Sequence, residues 1–202
     1  SNNPAFTNKI VPYTSTGSWT PKATKVVKGG EMKEFTLEFA DNEDFNNAKT
    51  VNTKAGDKKS QILSFVDKIE YTLDKLNKLE SDSTGRGASN TFTYYVREQP
   101  PTAPFTNYKY DMSVYKITVN ATDQSDKTIK CDVTYTKIVD AKGGEIAEKD
   151  QKPLKYGEDT NAGQSLPTFT NTYSTSLPLS GMSGVTLTYL AGAAVLCAAA
   201  AW

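Results

Sequence analysis

Strict alternation of apolar and polar residues in several short runs constrains this chain more than any other feature. Glu34-Phe35-Thr36-Leu37-Glu38-Phe39 sets Phe35, Leu37 and Phe39 on one face of an extended strand, because successive strand side chains point to opposite faces. The same period of two runs through Thr91–Glu98, Met112–Thr122 and Lys127–Val139, with Asp123-Gln124-Ser125-Asp126 as the turn of a hairpin between the last two. Lys22–Lys28 reads as a strand closed by Gly29-Gly30, and Thr168–Tyr173 as a final strand. Threonine and tyrosine recur throughout, as suits half-buried pleated surfaces. So many short strands separated by turn signals predict an all-β chain folded as an antiparallel sandwich.

Other stretches are less decided. Asp41 to Lys59 is polar and reads as a long connection holding one short edge strand. Over Gln61 to Glu80, Ile62, Phe65, Val66, Ile69, Leu73, Leu76 and Leu79 fit a helical face, whereas Leu63, Phe65, Ile69, Tyr71 and Leu73 fit alternation. The reading taken is a strand giving way to a short helix over Leu73 to Leu79. Ser81 to Asn90 is a loop, and a polar Lys/Glu segment runs from Gly143-Gly144 to Ser165.

Charge excludes several functions. Lys+Arg and Asp+Glu are both 23, so no basic field exists to hold nucleic acid, and Arg86 and Arg97 are the only arginines. Histidine is absent, which removes Ser-His and Cys-His nucleophile pairs, histidine metal sites and the usual general base near neutral pH. Asp41-Asn42-Glu43-Asp44 offers oxygen ligands but lacks the spacing of a calcium loop, and reads as a solvated loop. No metal and no cofactor is expected. Cys131 lies in a strand and Cys197 in the apolar tail, so no disulfide between them is expected and Cys131 reads as a lone buried thiol.

The two ends carry signals of their own. Ser1-Asn2-Asn3-Pro4 has neither the basic nor the apolar part of a signal peptide, so the chain reads as a C-terminal fragment. Phe6-Thr7-Asn8 repeats Phe169-Thr170-Asn171, which suggests tandem domains. Residues 1–17 are accordingly read as the end strand of a preceding domain plus the linker Thr14-Ser15-Thr16-Gly17, residues 18–175 as the sandwich, and residues 176–202 as a sorting signal and tail. No charge follows Asp159, and Val185 to Trp202 would span about 27 Å as a helix, near the thickness of a bilayer core.

Three short motifs, in order, resemble those of Gram-positive pilin and adhesin stalk domains of the CnaB-type and related isopeptide-linkage kinds. They are Lys-Ala-Thr-Lys-Val-Val-Lys-Gly from Lys22, Tyr-Tyr-Val-Arg-Glu from Tyr94, and Phe-Thr-Asn-Thr-Tyr from Phe169, and the resemblance covers residues 20–175. It implies an immunoglobulin-like sandwich. It also implies that a first-strand lysine attacks the side-chain amide of a last-strand asparagine with a buried acid assisting. Carried over, Lys25 is the nucleophile, Asn171 the acyl donor and Glu98 the acid/base. Lys22 is the second candidate nucleophile, and a solvated strand lysine remains open for Lys22, Lys25 and Lys28 alike.

Leu177-Pro178-Leu179-Ser180-Gly181 resembles the Leu-Pro-x-Thr-Gly signal cleaved by sortases, with serine in the threonine place. The usual basic end after the apolar tail is absent. The resemblance implies a secreted structural protein rather than an enzyme, transiently held by its tail. Its expected partners are sortase, peptidoglycan or neighbouring pilin subunits, and a host-surface ligand, with no nucleic acid. Lys149, Lys152 and Lys155 precede the last strand, where related pilins present a lysine to sortase, and no motif selects among them. Asn120-Ala121-Thr122 is a glycosylation sequon without consequence in a bacterial setting. The competing reading is a wall-proximal stalk of a larger surface enzyme or ligand-binding adhesin.

Overall fold

The computed structural model describes residues 12–77 and 85–175. Among these residues twelve strands follow in order: β1 Thr16–Trp19, β2 Lys22–Lys28, β3 Thr36–Ala40, β4 Lys49–Asn52, β5 Ser60–Ser64, β6 Ile69–Thr72, β7 Ser89–Glu98, β8 Tyr108–Lys109, β9 Val114–Asp123, β10 Ile129–Val139, β11 Leu154–Lys155 and β12 Thr168–Tyr173. Single 3₁₀ turns occupy Leu73–Lys75, Glu148–Asp150 and Thr160–Ala162. No helix of the described residues is long and apolar enough to cross a membrane.

Three sheets result, ordered β11-β10-β9-β7-β3-β4, β5-β2-β12-β8 and β1-β6. The pairs β3–β4, β3–β7, β10–β11, β2–β5 and β8–β12 are antiparallel. The pair β2–β12 is parallel, with Phe169 opposite Lys25 and Asn171 opposite Val27. No turn joins these two strands, so no hairpin dictates their relative direction. The sheets are otherwise those of the antiparallel sandwich expected, and the edge strand expected between Asp41 and Lys59 is β4.

Contacts divide the chain into two compact units. The first is built from the described parts of Ser1–Trp19, Glu70–Thr91 and Asn120–Asp132. In it the Trp19 indole N–H donates to the Tyr71 hydroxyl at 3.0 Å, and the Asp123 carboxylate accepts from the Tyr13 hydroxyl at 2.9 Å and the Gly87 N–H at 2.9 Å. The stretch read as a linker, Thr14 to Gly17, makes contacts within this unit. Ser15 is buried, Thr16 bridges to Thr128, and Gly17 passes so close to Ile129 that a Cβ there would meet its carbonyl oxygen. The end strand expected before it, over residues 4–11, lies outside the described residues.

The second unit comprises Thr20–Ile69, Phe92–Val119 and the described part of Val133–Trp202. Alternation makes its core. Ala23 and Val27 of β2, Leu37 and Phe39 of β3, Val96 of β7, Ile117 and Val119 of β9 and Phe169 of β12 are all buried. Tyr115 of β9 meets Phe169 of β12 edge to face at 5.2 Å, so the six- and four-stranded sheets face one another there. Burying each large side chain of this kind contributes roughly 1.5–3 kcal/mol.

The ambiguous stretch resolves as two strands, β5 and β6, broken at Phe65 to Lys68 and followed by one 3₁₀ turn. The short helix expected over Leu73 to Leu79 does not form within the described residues. Leu73 and Leu76 are buried without it, and Leu76 is already extended. Cys131 lies in β10 as expected but is half-buried and free rather than buried. The expectations for Cys197, for Leu177–Gly181 and for the apolar tail lie outside the described residues.

Candidate cross-linking site

Strand parity separates the lysines of β2. Ala23, Lys25 and Val27 point inward, whereas Lys22 and Lys28 belong to the other face. Lys22 is partly exposed and ion-paired with Glu158, and Lys28 is exposed. Lys25 is completely buried, one of the largest fully buried side chains described. Its Nζ sits 4.9 Å from the centre of the Phe35 ring, within reach of a cation–π contact. Phe35 belongs to an apolar cluster with Val27, Met32 and Tyr110.

Glu98 is the last residue of β7, opposite Leu37 of β3, and the strand stops there at Gln99-Pro100-Pro101. Its carboxyl is buried and bridges two partners. Oε2 lies 2.8 Å from Lys25 Nζ, and Oε1 accepts from Asn171 Nδ2 at 2.8 Å. Asn171, also fully buried, stands beside Phe169 on the inward face of β12. Its Oδ1 accepts the Asp111 main-chain N–H at 2.9 Å. That bond fixes which way the amide faces, because an N–H must meet the oxygen, leaving the NH₂ to face Glu98.

Burial dominates the electrostatics of the pair. Desolvation pushes the Lys25 ammonium below the usual lysine range, against the opposing attraction of Glu98. Desolvation likewise pushes the Glu98 carboxyl above the usual carboxylate range, against the attraction of Lys25 and the hydrogen bond from Asn171. Both shifts favour a neutral amine beside a neutral acid. A neutral amine is a nucleophile, and a neutral acid can give a proton to an amide nitrogen. The arrangement can thus support acyl transfer from the asparagine amide to the lysine.

The structure brings Lys25, Glu98 and Asn171, all singled out in the sequence, to one place. It adds two neighbours the sequence reading missed. Phe35 was read only as core. Asp111 accepts the Ser113 N–H at 2.9 Å and the Thr170 N–H at 2.7 Å. The available signal was local: Asp-Met-Ser just ahead of a strand fits a side chain capping the amide two residues on. The oxygen-rich loop at Asp41 to Asp44 is closed by its own bonds, with the Asn46 N–H donating to Asn42 and the Tyr95 hydroxyl to Glu43. Among the described residues no group of three or more acidic or cysteine side chains could hold a metal ion.

The model of a family described as FctA, the Spy0128-like isopeptide containing domain, matches residues 21–174. No curated protein matches the chain. Among solved structures, an asparagine-to-alanine mutant of the major pilin from Streptococcus pyogenes is similar at 10% identity and a TM-score of 0.35. The match covers 76% of this chain and 50% of that one, so the chain spans half the length of that pilin.

Proposed function

The chain belongs to the Spy0128-like isopeptide containing domain family, and we propose that it is a stalk or pilin subunit whose sandwich is closed by an amide bond between Lys25 Nζ and Asn171 Cγ. The observation that carries this reading is the bridging of both reactants by one buried carboxyl, Glu98, at 2.8 Å to each.

In the reaction the neutral Lys25 amine adds to Asn171 Cγ. Glu98 gives its proton through Oε1 to the departing nitrogen and takes one from Lys25 Nζ through Oε2, so it ends protonated as it began. One C–N bond forms, one breaks, and one ammonia leaves. Holding the amine and the amide against a shared acid supplies the effective molarity that lets an otherwise inert amide react. The step happens once and consumes the protein's own side chains, so the domain is a structural element and not a turnover enzyme.

The bond would close a loop from β2 to β12. If the loop-entropy relation for disulfides transfers, it stabilises by roughly 5 kcal/mol. It would also stand in for disulfides, since Cys131 is free. Display on the cell surface rests on the family and on Leu177–Gly181, with sortase cleaving between Ser180 and Gly181 and joining the chain to the wall or to another pilin subunit.

Intact mass tests the bond. The wild-type chain is expected one ammonia lighter than its sequence, with Glu98→Ala and Asn171→Ala at full mass. A wild-type chain at full mass would remove the cross-link from this reading.

A further inference from the structure

We infer that Asp111 is the positioning residue of the cross-linking reaction, clamping the turn before β9 so that its own main-chain N–H receives the negative charge that develops on Asn171 Oδ1. The inference rests on the Lys25–Asn171 bond proposed above.

When an amine adds to Asn171 Cγ, the carbonyl oxygen becomes an alkoxide in the tetrahedral intermediate. Donors aimed at that oxygen before reaction act without reorganisation, and a dry site strengthens them. The Asp111 N–H already lies 2.9 Å from Oδ1. What holds it there is the Asp111 side chain, which is itself buried. One carboxylate oxygen accepts the Ser113 N–H, bracing the turn from the β9 side, and the other accepts the Thr170 N–H. Thr170 is the residue immediately before Asn171. The clamp therefore ties the donor's turn to the strand segment that presents the acceptor, and a shift of either would be carried to the other.

No proton passes through Asp111. The N–H stabilises the alkoxide, and when the carbonyl re-forms and ammonia departs, the same N–H remains on the amide oxygen of the product. The Asp111 charge has a second consequence. Burial first, and the negative charge of Asp111 in addition, favour the protonated form of Glu98 that the reaction needs, while the same charge also favours the protonated form of Lys25, against the larger effect of its burial.

The test follows bond formation by intact mass while the full chain is made by cell-free translation. Asp111→Ala is expected to slow the loss of ammonia about 100-fold, the scale of removing one oxyanion donor. Asp111→Asn keeps one acceptor and is expected between the two. Val119→Ala, a core truncation that shares none of the clamp's hydrogen bonds, serves as the measure of simple destabilisation and is expected to react at the wild-type rate. Asp111→Ala reacting as fast as wild type, or no slower than Val119→Ala, overturns the inference. A wild-type chain that never loses ammonia instead refutes the bond itself. Should Asp111→Ala fail to fold, amide exchange on the wild type decides. The Asp111 amide proton is expected among the slowest to exchange, and rapid exchange overturns the inference.

Discussion

Asn171 stands opposite Val27 and not opposite Lys25, its proposed partner, because the parallel register of β2 and β12 pairs Lys25 with Phe169. The amine and the amide are thus offset by two residues along one inward face. That offset leaves the gap into which Glu98 reaches from the opposing sheet, touching both.

Parity predicts a sharp contrast between two lysines three residues apart. Lys25→Ala is expected to leave the chain at full mass and to lower its unfolding free energy by roughly 5 kcal/mol, the worth of the closed loop. Lys22→Ala removes only a partly exposed pair with Glu158 and is expected to change stability by less than about 1 kcal/mol, with the ammonia still lost. Intact mass and denaturant titration of the two variants check this.

Glu98→Gln keeps the size of the side chain but cannot shuttle a proton, so it is expected at full mass. It also isolates Lys25 without its counter-charge. A lysine whose pKa is held below the unfolded value binds fewer protons folded than unfolded, so stability rises with pH between the two values. The variant is therefore expected to gain stability as pH rises towards about 10, where the unfolded lysine loses its proton. Denaturant midpoints at pH 6, 8 and 10 that stay level would contradict it.

Phe35 is the apolar wall of the site, with its ring edge-to-face against Phe105, Tyr108 and Tyr110 at 5.7 Å each. Phe35→Ala is expected to cost about 3–5 kcal/mol from the cavity. Water admitted beside Lys25 would restore its usual charge, so bond formation is expected to slow as well. The readout is the fraction of chains still at full mass when synthesis ends.

The strands that carry the reacting pair were legible by their bounds, since Lys22–Lys28 and Thr168–Tyr173 match β2 and β12 residue for residue, although buried Lys25 and Asn171 interrupt the apolar period of their inward faces. Choosing Lys25 over Lys22 needed the resemblance, since periodicity alone cannot say which face of a strand turns inward. The parallel pairing of β2 and β12 left no trace in the sequence, because it joins segments with no connecting turn. Around Phe65 to Lys68 both periods fit, and only packing decided that Phe65 is buried just past the end of β5 and Tyr71 within β6. Asp111 escaped notice for a different reason. Its main-chain N–H, not its side chain, meets Asn171, and backbone groups carry no sequence signature.

The parallel register also sets how the domain bears load. The chain enters at the start of β2 and leaves at the end of β12, so a pull on the two ends loads these neighbouring strands in shear. With Lys25 joined to Asn171, tension would run through the covalent link, and the residues between them would be spared. Pulling between handles at Tyr13 and Ser174 is expected to give no extension step from residues 26–170 in the wild type. Asn171→Ala is expected to release a step on the order of 500 Å, the contour length of those residues less their folded span. A wild-type chain that unravels by that length would show that force does not cross the domain through this bond.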